Sequence, residues 1–161
     1  MIKYNSKKGW YKIQNVEKFI KPLDEYMEST KRNDSGTFIQ YKSRLERIAF
    51  HYADINPKIK YFSIEPFFIS YIKPTDNKVH RYYIDMFIEF VTGDKFLVEV
   101  KSFNETQAPQ KPKNKSNKYM SVYKDRLEIY LTNSSKWRSA EQFAKSKNMK
   151  FIILTEKELC N

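Results

Sequence analysis

The chain has one cysteine, Cys160, and two histidines, His51 and His80. A single thiol cannot close a disulfide within the chain, and neither residue type is abundant enough for a multi-thiolate or histidine-rich metal centre. Three glycines are too few for a P-loop or a GxGxxG turn in any local window. No stretch approaches the ~18 consecutive apolar residues of a membrane-spanning helix. Near the start, Lys3, Lys7, Lys8, Lys12 and Lys18 separate the aromatics, which is not the pattern of a signal peptide. The expectation is a soluble, intracellular protein without a membrane partner.

What the sequence has is positive charge and aromatic bulk. Thirty Lys and Arg against nineteen Asp and Glu give +11 over 161 residues, with 40% hydrophobic and 16% aromatic content. That is enough apolar material for one folded domain with a short appendage, and the basic excess points to a polyanion, nucleic acid first. The excess is uneven: +5 over residues 1–45, 0 over 46–101, +4 over 102–126 and +2 over 127–161. A neutral middle framed by basic flanks suits a centre that keeps its own acids beside a surface that attracts phosphate. A Lys-rich surface that serves only solubility is the plain alternative.

Residues 1–36 read as a basic N-terminal arm, with Pro22 interrupting it and Asn33-Asp34-Ser35-Gly36 closing it as a turn. Residues 37–161 read as the folded domain. Tyr41, Leu45, Ile48, Ala49 and Tyr52 recur at helical spacing and predict a helix from Phe38 to about Asp54, stopped by Asn56-Pro57. Tyr61–Ile72, Arg81–Val91 and Lys95–Lys101 predict three strands in a meander, with Pro66 demoting part of the first. Ser102–Asn117 is a long basic loop. Two helices follow, one on Tyr119, Val122, Tyr123, Leu127, Tyr130 and Leu131, the other from about Ser135 and including Trp137 as a core residue. Phe151–Leu154 is a short buried strand, and Thr155-x-x-Glu158 a capping box. The order predicts an α/β sandwich on a mixed sheet.

One grouping carries chemistry. Asp85 falls on the second strand among apolar neighbours, where an unpaired carboxylate is costly. Glu99 and Lys101 share one face of the third strand, roughly 6–7 Å apart. If the two strands pair as a hairpin, Asp85 and Glu99 meet with Lys101 at one point. Such a set suits Mg²⁺-assisted phosphodiester hydrolysis, with Mn²⁺ as a substitute, because hard carboxylate oxygens hold the ion and the lysine stabilises developing charge. An ordinary salt bridge is the bland reading of D…ExK. Glu46, at the rim of the first helix's buried stripe, can join the set. Ser43-x-x-Glu46 also matches a capping box, although Tyr41 in the same stripe argues for an earlier helix start. Glu65 beside Pro66 reads as an edge-strand surface acid rather than a member of the site.

These residues resemble the PD-(D/E)xK nucleases of restriction-endonuclease-like fold, with an α-β-β-β-α-β core. More narrowly they resemble the tailed-phage head completion nucleases, relatives of transposon-end nuclease subunits. The resemblance rests on Ser43-Arg44-Leu45-Glu46, His80-Arg81-Tyr82-Tyr83-Ile84-Asp85-Met86, Val98-Glu99-Val100-Lys101, Lys136-Trp137 and Thr155-Glu156-Lys157-Glu158-Leu159, from about Tyr41 to Leu159. It departs from the pattern at Ile84, where the family has Pro. It implies an endonuclease that trims double-stranded phage DNA during head completion. Glu46, Asp85, Glu99 and Lys101 would be catalytic, and Glu46, Asp85, Glu99 and the Val100 carbonyl would bind metal. The implied setting is the host cytoplasm during assembly, with retention in the virion and portal, neck or head proteins as partners. DNA is expected against Arg44, Arg81, Lys111, Lys113, Lys115, Lys118, Lys136 and Arg138. A structural DNA-binding component of the virion neck that has lost turnover is the alternative.

Overall fold

The run Lys95–Val100 is where the architecture starts, because Leu97 to Val100 are all buried, as expected of a strand covered on both faces. A computed structural model describes residues 8–20, 30–33, 36–114 and 116–160. In chain order its strands are β1 (Gly9–Lys12), β2 (Thr30–Asn33), β3 (Gly36–Tyr41), β4 (Ile59–Ile64), β5 (Phe68–Lys73), β6 (Lys78–Tyr83), β7 (Met86–Phe90), β8 (Lys95–Val100) and β9 (Lys150–Leu154). The helices are α1 (Arg44–Ile55), α2 (Asn117–Ser146) and α3 (Glu156–Leu159), with 3-10 turns at Val16–Lys18 and Phe103–Thr106.

A four-stranded sheet in the order β4-β7-β8-β9 forms the centre, antiparallel except for the parallel β8–β9 pair. Period-two alternation divides its apolar side chains between two cores. Phe62, Ile64, Met86, Ile88, Val98 and Val100 meet Leu45, Ala49, Phe50 and Ala53 of α1 on one face. Leu97 and Phe87 meet Ala140, Ala144 and Trp137 of α2 on the other. This is the expected α/β sandwich with a mixed central sheet, and Trp137 is a core residue as expected. Thr155 and Glu158 form the capping box that opens α3. No helix of the described residues is long and apolar enough to cross a membrane.

Several expected boundaries move. Phe38 to Tyr41 are strand, paired between β1 and β2, and the helix begins only at Arg44. Tyr41, which fitted the helical stripe, is the cross-strand partner of Gly9 instead, and Ser43 is the true N-cap. The expected strands Tyr61–Ile72 and Arg81–Val91 are each broken in two. Ile64 pairs with Met86 and Phe68 with Tyr83, so Glu65-Pro66-Phe67 spans the gap opposite only Ile84-Asp85. This extra residue acts as a bulge: it swings β5 and β6 out of the central sheet as a separate hairpin. Glu65 takes a left-handed backbone, φ 44°, at the bend. The three expected strands are therefore β4, β7 and β8, with a hairpin inserted between the first two.

The two expected C-terminal helices are one 30-residue helix, α2. The turn-forming Asn133-Ser134-Ser135 stretch does not interrupt it, because Asn133 is buried, Ser134 bonds the Tyr130 carbonyl (2.8 Å) and Ser135 the Ile72 carbonyl (2.7 Å). The described parts of the first 36 residues are built into the fold: Tyr11, Ile13 and Phe19 lie in the same core as α1, and Ile20 donates to Phe62 O at 3.0 Å, covering the β4 edge. Asp34 and Ser35 of the expected turn and Pro22 lie outside the described residues.

Candidate active site

The bulge, the C-terminal end of β8 and the N-terminus of α1 converge at one end of the central sheet. Continued one step beyond the Met86–Val98 pair, the register carries Asp85 to Glu99, whose charge acts on it. Asp85 Oδ2 accepts from Val100 N at 2.8 Å, and its carbonyl accepts from Glu65 N at 3.0 Å, so the end of β8 and the facing break both hold it. Glu99 is buried (4% exposed), with Oε2 accepting from the Tyr82 hydroxyl at 2.5 Å and Oε1 3.5 Å from Lys101 Nζ. Asp85, Glu99 and Lys101 therefore meet as expected, but Asp85 does so from the break rather than from within a continuous strand.

Electrostatics mark the pair as short of positive charge. Burial, then the facing Glu99, pushes the Asp85 carboxyl well above its ordinary range, against the Val100 hydrogen bond and Lys101. Burial lowers the Lys101 ammonium, but Glu99 and Asp85 outweigh it and hold the group above its usual value. Glu46 is raised by burial, despite its bond from Lys42, and its charge reaches Asp85.

Glu46 fits both sequence readings. Ser43 Oγ accepts from Glu46 N at 3.1 Å, and Glu46 Oε2 accepts from Lys42 N at 2.6 Å, one residue before the cap itself. It is a helix-capping carboxylate that also borders the site. Its other neighbours were not expected: the Lys42 ammonium is ion-paired to Glu65, and both feel Glu46. Glu65, read from the sequence as a surface acid, thus lies on the rim of the acidic group. Pro66 signalled a break there, but not the left-handed turn that aims Glu65 back toward α1.

Lys136 is the other cation brought inside. Its Nζ stands 5.6 Å from the ring centres of both Tyr71 and Tyr82, and burial, then Lys101, lowers its proton affinity. Arg138, two residues on, faces elsewhere and lines a depression with Glu141, Trp137 and Phe151. Arg44, Arg81, Lys111, Lys113 and Lys118 are exposed, with Arg81 over the Phe68 ring, and Lys115 lies outside the described residues.

Among the described residues, no three Asp, Glu, His or Cys side chains form a ready-made metal cage. The opposed Asp85–Glu99 pair nonetheless fits Mg²⁺, which is commonly held by one or two carboxylates and completes its shell with water and substrate phosphate.

The mixed sheet between two helical layers, with opposed acids and a lysine at a strand end, defines a nuclease domain of restriction-endonuclease-like fold. Residues 56–156 match the family described as TnsA-like endonuclease N terminal, and the chain belongs to that family. The matched span contains Asp85, Glu99, Lys101 and Lys136 and begins after Glu46. The chain is also similar to the head completion nuclease of Enterobacteria phage T4, 31% identical over 118 residues, covering 73% of this chain and 79% of that protein.

Proposed function

We propose that this protein is a divalent-metal-dependent endonuclease that hydrolyses phosphodiester bonds of double-stranded DNA during phage head completion. The observation that carries the reading is the Asp85–Glu99 pair, placed face to face with Lys101 beside it in an otherwise basic molecule. A bound Mg²⁺ would neutralise developing charge on the phosphate and activate water. Asp85, Glu99 and the Val100 carbonyl would hold the ion, with Glu46 bordering them. Lys101 would stabilise charge at the reacting phosphate and orient the attacking water, and Lys136 would bind an adjacent phosphate. Arg44, Arg81, Lys111, Lys113, Lys118 and Arg138 would carry the flanking duplex. The similarity to a head completion nuclease supports the placement in head completion; the setting proposed with it is the host cytoplasm during assembly, then the virion, with portal, neck or head proteins as partners.

The decisive assay incubates the protein with linear, nicked and branched duplexes, with and without Mg²⁺ or Mn²⁺. Metal-dependent cleavage is expected; binding without cleavage in either metal would establish the architectural neck component instead. Metal should also stabilise the fold. At a hundredfold excess over the dissociation constant the gain is about 2.7 kcal/mol, or on the order of 5–10 °C in thermal midpoint. An unchanged midpoint at saturating Mn²⁺ would remove the metal from this reading.

DNA affinity should fall steeply with salt through counterion release. Replacing Lys111, Lys113 and Lys118 with Ser is expected to flatten the slope of log K against log salt by ~0.9 for each phosphate no longer neutralised. An unaltered slope would take these residues out of the DNA path.

A further inference from the structure

Tyr82 has no role in the chemistry described so far, yet its hydroxyl is the closest polar partner of Glu99. By simple alternation along one strand Tyr83, not Tyr82, would share the Asp85 face. The break at Ile84-Asp85 reverses that parity: Tyr83 is 39% exposed, and Tyr82 turns inward, 5% exposed. Its ring packs edge-on against Tyr71 at 6.5 Å, with Ile69 and Ile84 in the same core. A phenylalanine would fill that space equally well. What the hydroxyl adds is one hydrogen bond, 2.5 Å to Glu99 Oε2, while Oε1 faces Lys101. Each oxygen of this buried carboxylate therefore has its own neighbour, and the carboxylate plane is fixed by a donor from a different element.

Resting on the metal-dependent reading above, we propose that Tyr82 is a positioning residue for the metal-binding carboxylate. It occupies Oε2 and leaves Oε1, the oxygen beside Lys101, as the one that would take part in holding a cation. Without the hydroxyl, Glu99 gains rotational freedom and must be ordered by the metal itself. Partners of this kind contribute about 10–100-fold to metal affinity. The hairpin β5–β6 thus does more than shield the sheet end: it sets the orientation of a ligand on β8.

The test is Mn²⁺ binding to the full chain by titration calorimetry, with no DNA present. Tyr82→Phe is expected to raise the dissociation constant about tenfold or more, with a far-UV melt close to the parent and most of kcat recovered at saturating metal. Tyr71→Phe, on the same hairpin, controls for packing and should leave Mn²⁺ binding unchanged. Because Tyr82 acts through Glu99, adding Tyr82→Phe to Glu99→Gln should weaken Mn²⁺ no further than Glu99→Gln alone. A folded Tyr82→Phe protein with parental Mn²⁺ affinity, or an additive effect on top of Glu99→Gln, would overturn the assignment while leaving the nuclease reading intact. A parent protein that binds no Mn²⁺ would overturn both.

Discussion

Asp85→Asn protein is expected to lose DNA cleavage and yet, without metal, to melt no lower than the parent. Loss of function and unchanged or improved stability follow from the same geometry. Asp85 faces buried Glu99, and burial together with that like charge raises its carboxyl well above the ordinary range. An amide of the same shape removes the repulsion, and its oxygen can still accept from Val100 N, now 2.8 Å from Oδ2. The carboxylate oxygen that a cation would use is gone, so cleavage fails. Lys101→Met should also be folded and inactive, for a different reason. It keeps the stem and removes the ammonium, 3.5 Å from Glu99 Oε1. The loss of a preorganised charge of this kind is expected to slow cleavage by about 10²–10³-fold. Thermal melts beside a plasmid-cleavage assay check both variants. An Asp85→Asn protein destabilised by several degrees would show that Asp85 is held by favourable contacts rather than against a repulsion.

The largest stability effect should come from the far end of α1, well away from the acids. Asp54→Ala is expected to cost about 3–5 kcal/mol, on the order of 10 °C in thermal midpoint. Asp54 is fully buried. It accepts from the Tyr11 hydroxyl at 2.7 Å, Gln14 N at 2.7 Å, Asn15 N at 2.8 Å and Asn15 Nδ2 at 3.2 Å. Burial, then the bond to Asp54, raises the Tyr11 hydroxyl far above its usual range, so it remains a donor. Alanine would strand these donors and loosen the N-terminal segment from the helix. Asp54→Asn should lie between alanine and the parent, since one of its atoms would turn a donor toward donors. Urea unfolding of the three proteins measures the series. Asp54 and Glu46 are eight positions apart on the helix, roughly 12 Å along its axis, so cleavage at low temperature should survive. A midpoint within a degree of the parent would mean that the N-terminal segment contributes little to folding.

The candidate site was legible in part, and residue by residue the reason differs. Glu99 and Lys101 could be placed together because alternation along a single strand is local. Asp85 could be brought to them because antiparallel pairing needs only two strands and a turn. Tyr82, Lys42 and Glu65 could not be reached that way. Tyr82 and Glu65 depend on a one-residue mismatch between Glu65-Pro66-Phe67 and Ile84-Asp85, which changes parity on one side and aims a backbone turn on the other, and Lys42 enters only as the ion-pair partner of Glu65. Lys136 was legible as a cation on a helix, but its seat over Tyr71 and Tyr82 follows from how α2 packs on the hairpin. Tyr41 misled in the opposite direction: one aromatic at a helical spacing can equally end a strand, and Ser43 decided between them by capping the helix.

By itself, then, the sequence determined the class of fold, the neutral acidic centre within a basic chain and the Asp85, Glu99 and Lys101 grouping. All of these rest on composition or on periodicities that span a few residues. Tertiary structure alone decided that Asp85 sits in a strand break, that Glu46 both caps a helix and borders the acids, and that a tyrosine from a displaced hairpin grips Glu99. Those features depend on register and on packing between elements distant in the chain, where a shift of one residue reverses which side chains face the site.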